Sequence, residues 1–551
     1  MKKSAIAIFE VLSFVVHATA QDIEAVLNAP LLTANGGVTL NQIATITPGD
    51  STATNPYSLF VAGNLNLNFF GVVDIPLSFA YTNQELSKDA SLPFNRFSIS
   101  PSYKWVKVYA GYTSMQFSPY SLAGHELFGG GFELTPDNGF KISALYGRLK
   151  EASPGIDGIE PTYKRMGGGF DVEYKGKQYD VGVNLFAAQD DPSSAPFDRD
   201  SIVLIPQENL TGSVKANVDV MENLRLGAEY GFSALNQSLF HAVKTNFTYS
   251  RWGSSIGATY ERVAPNYATL GAYYMTNDYE NITGNFATAI KKLNVALNVG
   301  YQQDNLDKQK SNSTSRMIYS LDLSSNVNEK LSLGLNLSNQ QSYIFVNDVY
   351  SQVTQTNEFQ NLDTLNVTQL NYTAAINGSY TLQSTKEQRQ SVSCNFMYQK
   401  SAEAQQYSDF AGNDIYNTSV SYQFSLVPLK LNTSFSVNHN YNQMPQDMYS
   451  QAMTYNLSLQ KVFFEELQTG LTATYSNMGN QTGNLSNVVN LRLNAGYQLA
   501  KRHSFNFSLS MLHSEAASKT RLQYAANLSY SYAFNVTVSR KDKKIKLDAN
   551  F

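Results

Sequence analysis

Six histidines and one cysteine are the residues from which catalytic or metal chemistry could start. His125, in Ala123-Gly124-His125-Glu126, sits at the end of a long loop and is the first candidate for a catalytic or metal-binding role. A metal needs several ligands at workable spacing, and no second histidine is near, so a structural or loop role is the expectation. His241, His439, His503 and His513 stand singly near strand ends, the usual place for an interface residue. Asp190-Asp191 with Asp198 and Asp200 could gather carboxylates around calcium, but their spacing fits no standard calcium loop. Lys141, Arg148, Lys164 and Arg165 could line a lumen and favour anions, although scattered solvated charge is the preferred reading. No G-x-S-x-G elbow, H-E-x-x-H pair or phosphate-binding loop occurs. Gly129-Gly130-Gly131 and Gly167-Gly168-Gly169 belong to strands, so they aim no helix N-terminus at a phosphate and imply close backbone approach or a bulge. The chain reads as non-enzymatic, with no cofactor and no metal.

The elements that would position these residues are strands. Asn64, Asn66 and Asn68 alternate with Leu65, Leu67 and Phe69, and Leu331, Leu333, Leu335 and Leu337 alternate with Ser332, Gly334, Asn336 and Ser338. The same period recurs at 455–460 and 505–511. Successive side chains of a strand point to opposite faces, so each run has one apolar and one small polar face. The polar face is Asn, Ser, Thr, Gln and Gly rather than charge; charged residues are 15% of the chain. A soluble sheet uses charge to protect its exposed strands. Here the polar face suits a lumen and the apolar face suits lipid. Aromatic pairs such as Phe69-Phe70, Tyr273-Tyr274 and Phe463-Phe464 gather near strand ends, where membrane girdles form. Cys394 excludes an intrachain disulfide and is expected as a small buried side chain.

Short connections (175–177, 221–223, 328–330, 499–503) alternate with long polar ones (148–164, 188–208, 341–363, 401–414). The alternation slips a phase between Val263 and Ser315. The fold class is therefore all-β, a large antiparallel transmembrane β-barrel of roughly two dozen strands. Residues 1–20 read as a signal peptide, with Lys2 and Lys3, an apolar stretch, and Ala18-Thr19-Ala20, placing cleavage between Ala20 and Gln21. Residues 21–56 read as a flexible segment, with room for a strand at 38–46, and 57–551 as the barrel. Ile545, Leu547, Ala549 and Phe551 alternate with polar residues, and the terminal Phe551 resembles the recognition signal of outer-membrane assembly machinery. The net charge of −4 gives no case for nucleic acid.

Pro93-Phe94-Asn95-Arg96-Phe97, Ser100-Pro101-Ser102-Tyr103-Lys104-Trp105, Phe117-Ser118-Pro119-Tyr120-Ser121-Leu122-Ala123-Gly124-His125 and Gly130-Gly131-Phe132-Glu133-Leu134 resemble segments of a family of Bacteroidetes-type outer-membrane barrel proteins. Tyr146-Gly147-Arg148, Pro206-Gln207-Glu208-Asn209, Gly271-Ala272-Tyr273-Tyr274 and Gln303-Asp304-Asn305-Leu306 add to the likeness, which covers roughly 55–310. The resemblance implies an outer-membrane location, with the lipid bilayer, the assembly machinery and other outer-membrane proteins as partners. It also brings in the type 9 secretion translocon, whose accessory and plug subunits are candidates. Two roles follow: a channel or transport-type pore, or a structural, plug-like subunit of a larger assembly.

Overall fold

A strand crossing hydrocarbon has no water for its backbone, so every N–H and C=O needs a partner on an adjacent strand. The computed structural model meets that need by closure: twenty-six antiparallel strands form one barrel with almost no helix. The structure describes residues 29–48, 57–83, 95–154, 161–194, 204–309, 315–343, 368–403, 412–445, 447–516, 519–539 and 546–547. Sequence neighbours pair around the wall, and strand Leu32–Ile46 pairs with both Tyr57–Phe69 and Lys519–Val538, sealing the seam. Arg96–Ile99 and Ser102–Tyr103 share one place in the wall, interrupted at Pro101, which has no N–H to give.

The sealing strand moves the start of the barrel from residue 57 to Leu32. The expected strand at 38–46 is its second half; its outward register positions run Leu32, Ala34, Gly36, Val38, Leu40, Gln42, Ala44 and Ile46, broken by Gly36 and Gln42. The expected cleavage residues Ala20 and Gln21 and the terminal Phe551 lie outside the described residues.

Connections alternate in length over most of the wall, and the expected slip between Val263 and Ser315 is absent. Between Val263 and Ser315 the order is a long loop (264–278), a two-residue turn at Lys291 and Lys292, and a long loop again. Short turns on the long-loop side occur elsewhere, at Asn236-Gln237 and Gln481-Thr482. Both ends of the barrel chain, Leu32 and Val538, lie at the short-turn end. Turn Trp252-Gly253 there has positive φ at both residues, 52° and 74°, the geometry that matches a twisted hairpin.

Register fixes which side chains share a face. Phe435, Leu457 and Ala473 form one cross-strand row on the apolar face, while Ser434, Ser458 and Thr472 form the next on the polar face. Large hydrophobics such as Leu333, Phe396, Leu457 and Leu509 are exposed. That pattern inverts a soluble protein and calls for lipid around the wall. Two aromatic rims bound the apolar band. At the long-loop end Tyr398, Tyr416, Tyr441 and Tyr449 touch in series, with ring centroids 5.0, 6.1 and 5.6 Å apart. At the short-turn end Phe140, Tyr174 and Tyr179 do the same at 4.8 and 5.8 Å. Two of the lone histidines join these rims: His241 hydrogen-bonds Tyr230, and His503 hydrogen-bonds Tyr530. Cys394 is exposed, not buried, because its parity places it on the outer face between Val392 and Phe396.

A charge on the outer face must meet hydrocarbon, whereas one on the inner face meets water. Leu457→Arg is expected to lower unfolding stability in lipid vesicles by about 2–4 kcal/mol, and the adjacent Ser458→Arg by less than about 1. Equal losses at both positions would contradict this assignment of faces.

Candidate functional site

The buried core lies inside the barrel. Loops 114–126 and 264–278 fold from the long-loop end into the lumen and pack against one sector of its wall. Phe117, Leu122 and Met115 meet Leu145, Leu149 and Phe186 of the wall, and Leu122 is fully buried. A second cluster joins Tyr120 and Tyr267 to Ala242 and Val263. Each such large apolar side chain removed from water contributes on the order of 1.5–3 kcal/mol. The wall beneath is thinned by glycine. A Cβ on Gly231 would stand 2.7 Å from the Tyr120 Cβ, and one on Gly131 would stand 3.1 Å from the Met115 Cε.

The docking surface is a ladder of alternating charge. Lys141, Glu173, Gly182, Lys215, Glu229, Lys244 and Glu261 are successive register partners on seven adjacent strands. Gly182 is the one gap, and it lets Lys215 reach across to Glu173: a Cβ there would meet the Lys215 Cε at 2.7 Å. Lys244 pairs with Glu261 at 3.5 Å, and Lys141 with Glu133 at 3.5 Å. The loop lies along this ladder. Lys215 Nζ donates to the Phe117 carbonyl at 3.3 Å, Ser118 Oγ donates to Glu229, and the Tyr120 hydroxyl donates to Glu261 at 2.6 Å. Ser121 Oγ donates to Asn184 Oδ1 at 2.6 Å. Burial, reinforced by the bond to Glu261, raises the Tyr120 phenol well above the ordinary tyrosine value, so it stays a donor.

Loop 264–278 locks the first loop down. The Tyr267 hydroxyl donates to the Tyr120 carbonyl at 2.7 Å, and the Ala123 amide donates to the Gly271 carbonyl at 2.9 Å. Burial first, and the Glu229 charge second, raise the Tyr267 phenol too. The buried Asn209 side chain receives the Leu270 amide at 3.0 Å and donates to Ser233 Oγ at 3.0 Å.

The sequence-derived candidates separate by face. Lys141 faces inward on the ladder. Arg165 faces inward and pairs with the buried Asp190 through Nε at 2.7 Å and Nη2 at 3.2 Å; Gln207 accepts from the same guanidinium. Arg148 has outward parity, lies 5.3 Å over the outward Phe128 ring and pairs with Glu151. Lys164 is opposite Asp191, on the outward register. The four cations therefore do not form one patch. Asp190 is occupied by Arg165, and Asp198 and Asp200 lie outside the described residues. His125 stacks on Tyr273 at 4.1 Å and donates through Nδ1–H to the Glu126 carbonyl oxygen at 2.8 Å. Burial pushes the His125 imidazole below its usual pKa, and the nearby Arg165 and Lys150 act in the same direction. No cluster of three or more metal-ligating side chains occurs among the described residues. Sequence reading missed the ladder and the docked loops. The available signal was apolar: Phe117, Tyr120, Leu122 and Tyr267 are large residues inside supposed surface loops.

No protein-family model and no curated protein matches the chain. The solved structures it resembles are outer-membrane β-barrel proteins. The P pilus usher (PapC) translocation pore is 11% identical over 91% of this chain and 98% of that one, with a TM-score of 0.37. The copper transporter OprC is 10% or less identical (9%), covering 92% and 81%, at 0.42. The ferric citrate transporter FecA in its unliganded form is 8% identical, covering 92% and 79%, at 0.40.

Gly231→Ala should loosen the docked loop, at a cost of about 1–3 kcal/mol for the overpacked contact. Amide exchange over 117–123 would accelerate while the wall strands stay protected; unchanged exchange would contradict the contact. His125 adds a pH dependence. Its folded pKa lies below the unfolded value, so the unfolded state binds more protons in that window. Docking is fully supported above the unfolded value of about 6.5 and weakens as pH falls through the folded one. His125→Phe should remove the pH dependence of the protection factors at 121–127, leaving only the intrinsic change in exchange rate; an unchanged dependence would contradict the assignment to His125.

Proposed function

We propose that the chain is a non-enzymatic outer-membrane barrel that acts as a channel or transport-type pore, narrowed on one side by its own docked loops. One observation carries this reading: an exposed apolar band between two aromatic rims encloses a wall of polar side chains. Lipid suits the outside and water suits the inside. Barrels of this kind keep tight turns and chain ends in the periplasm and long loops outside the cell. The short-turn end, with Leu32 and Val538, is then periplasmic, and the docked loops enter from the cell surface. The apolar contacts of loop 114–126 stop at one sector. The inner faces opposite, from Leu331–Tyr343 to His503–Ala516, carry no such packed core among the described residues.

The docked loops also favour a second reading, a filled accessory barrel in an outer-membrane assembly such as the type 9 secretion translocon. Planar-bilayer recording separates the two. The transport reading expects stable conductance from folded, heat-modifiable protein, and a larger conductance when Tyr120→Ala and Gly231→Val release the loop. Folded protein that is silent in both forms would leave the accessory role.

A further inference from the structure

The two sides of the lumen differ in chemistry. The loop-bearing side holds most of its charges in internal pairs: Lys215 with Glu173, Lys244 with Glu261, Lys141 with Glu133 and Arg165 with Asp190. The other side carries almost no charge. On the nine strands from Leu331–Tyr343 to His503–Ala516, only Arg389, Glu403 and Arg492 occupy inward register positions among the charged residues. Arg389 and Glu403 lie at opposite ends of one strand. Lys400, Asp414, Lys461 and Glu515 fall on the outward register. Between them the inner face is amide and hydroxyl. One continuous row, Asn377, Asn395, Ser419, Asn438, Thr454 and Ser476, crosses six strands. Its members bond along the wall: Asn438 exchanges bonds with Asn417 at 3.4 and 3.5 Å, and Thr454 meets Ser476 at 2.9 Å.

We infer that the cargo of this lumen is an uncharged polyhydroxylated solute, an oligosaccharide or glycan chain. This deepens the transport reading and rests on it. A sugar hydroxyl exchanges one neutral hydrogen bond for another along such a wall, and each exchange is nearly balanced against water. The solute is held against the wall without being trapped. A charged solute gains little from this surface, because its three inward charges, Arg389, Glu403 and Arg492, are sparse and mixed in sign and so do little to raise its local concentration. An extended polypeptide with apolar side chains meets no apolar patch on it, since the packed apolar side chains of the lumen are already covered by the docked loops.

The test uses the full-length protein in lipid vesicles and in planar bilayers. Vesicle swelling is compared for maltohexaose, anionic hexagalacturonate and the cationic chitosan hexamer, with bilayer current read in potassium chloride. Maltohexaose should enter at least about threefold faster than either charged hexamer. The potassium-to-chloride permeability ratio should stay within about threefold of unity. Asn438→Asp with Thr454→Asp puts charge on the neutral row, and should raise that ratio by about threefold or more while slowing hexagalacturonate. Equal or faster entry of a charged hexamer overturns the inference and leaves the transport reading standing. So does block by an unfolded polypeptide but not by maltohexaose, and so does a double variant with unchanged selectivity but native heat-modifiable mobility. Absence of any conductance or swelling defeats the transport reading and this inference together.

Discussion

Every backbone donor and acceptor that passes through hydrocarbon must be satisfied by the chain itself, and the rest of this architecture follows from that demand. An open sheet would leave two edges unpaired in lipid. Pairing of Leu32–Ile46 with Lys519–Val538 removes both, and its register runs unbroken from Leu32 opposite Val538 to Ile46 opposite Tyr524. Once the sheet is closed, the two-residue period of the strand leaves two surfaces and no others. One must be apolar for lipid, and the other is free to be polar.

A barrel of this size encloses far more space than its inward side chains fill. The chain uses its own loops on one side. Polar contacts alone would be exchanged for water at little gain, so the docking combines them with buried aromatic and aliphatic groups. The ladder of lysine and glutamate supplies register: Phe117, Ser118 and Tyr120 engage Lys215, Glu229 and Glu261 in order. Glycines at 131, 182 and 231 admit the approach of side chains that any Cβ would obstruct. Segments 117–125, 206–209 and 271–274 all lie at or beside the docked loops.

The barrel itself was legible, because each strand states its two faces within a few residues and the outward band needs no partner to be recognised. The sealing strand was legible only over 38–46, and its place in the wall was not, since Gly36 and Gln42 occupy lipid-facing positions. The faces of the cations are legible in the sequence. Lys141 and Arg148 are seven residues apart on one strand, and Lys164 and Arg165 are adjacent, so period two puts each pair on opposite faces. The docked loops depend on contacts between residues more than a hundred positions apart, such as Tyr120 with Glu261, and no local pattern encodes them. The glycine triplets did carry their message, as close approach at Gly131 and Gly167 shows.

Everything above depends on which face of the strands meets lipid. In a Cys394→Ser background, single cysteines at 332 to 337 on strand Leu331–Tyr343 can each carry a bimane label in vesicles doped with brominated lipid. Quenching is expected at 333, 335 and 337, with aqueous iodide reaching 332, 334 and 336 instead. Uniform quenching by iodide at all six positions, or lipid quenching at the even ones, would contradict the assignment of the apolar face to the bilayer.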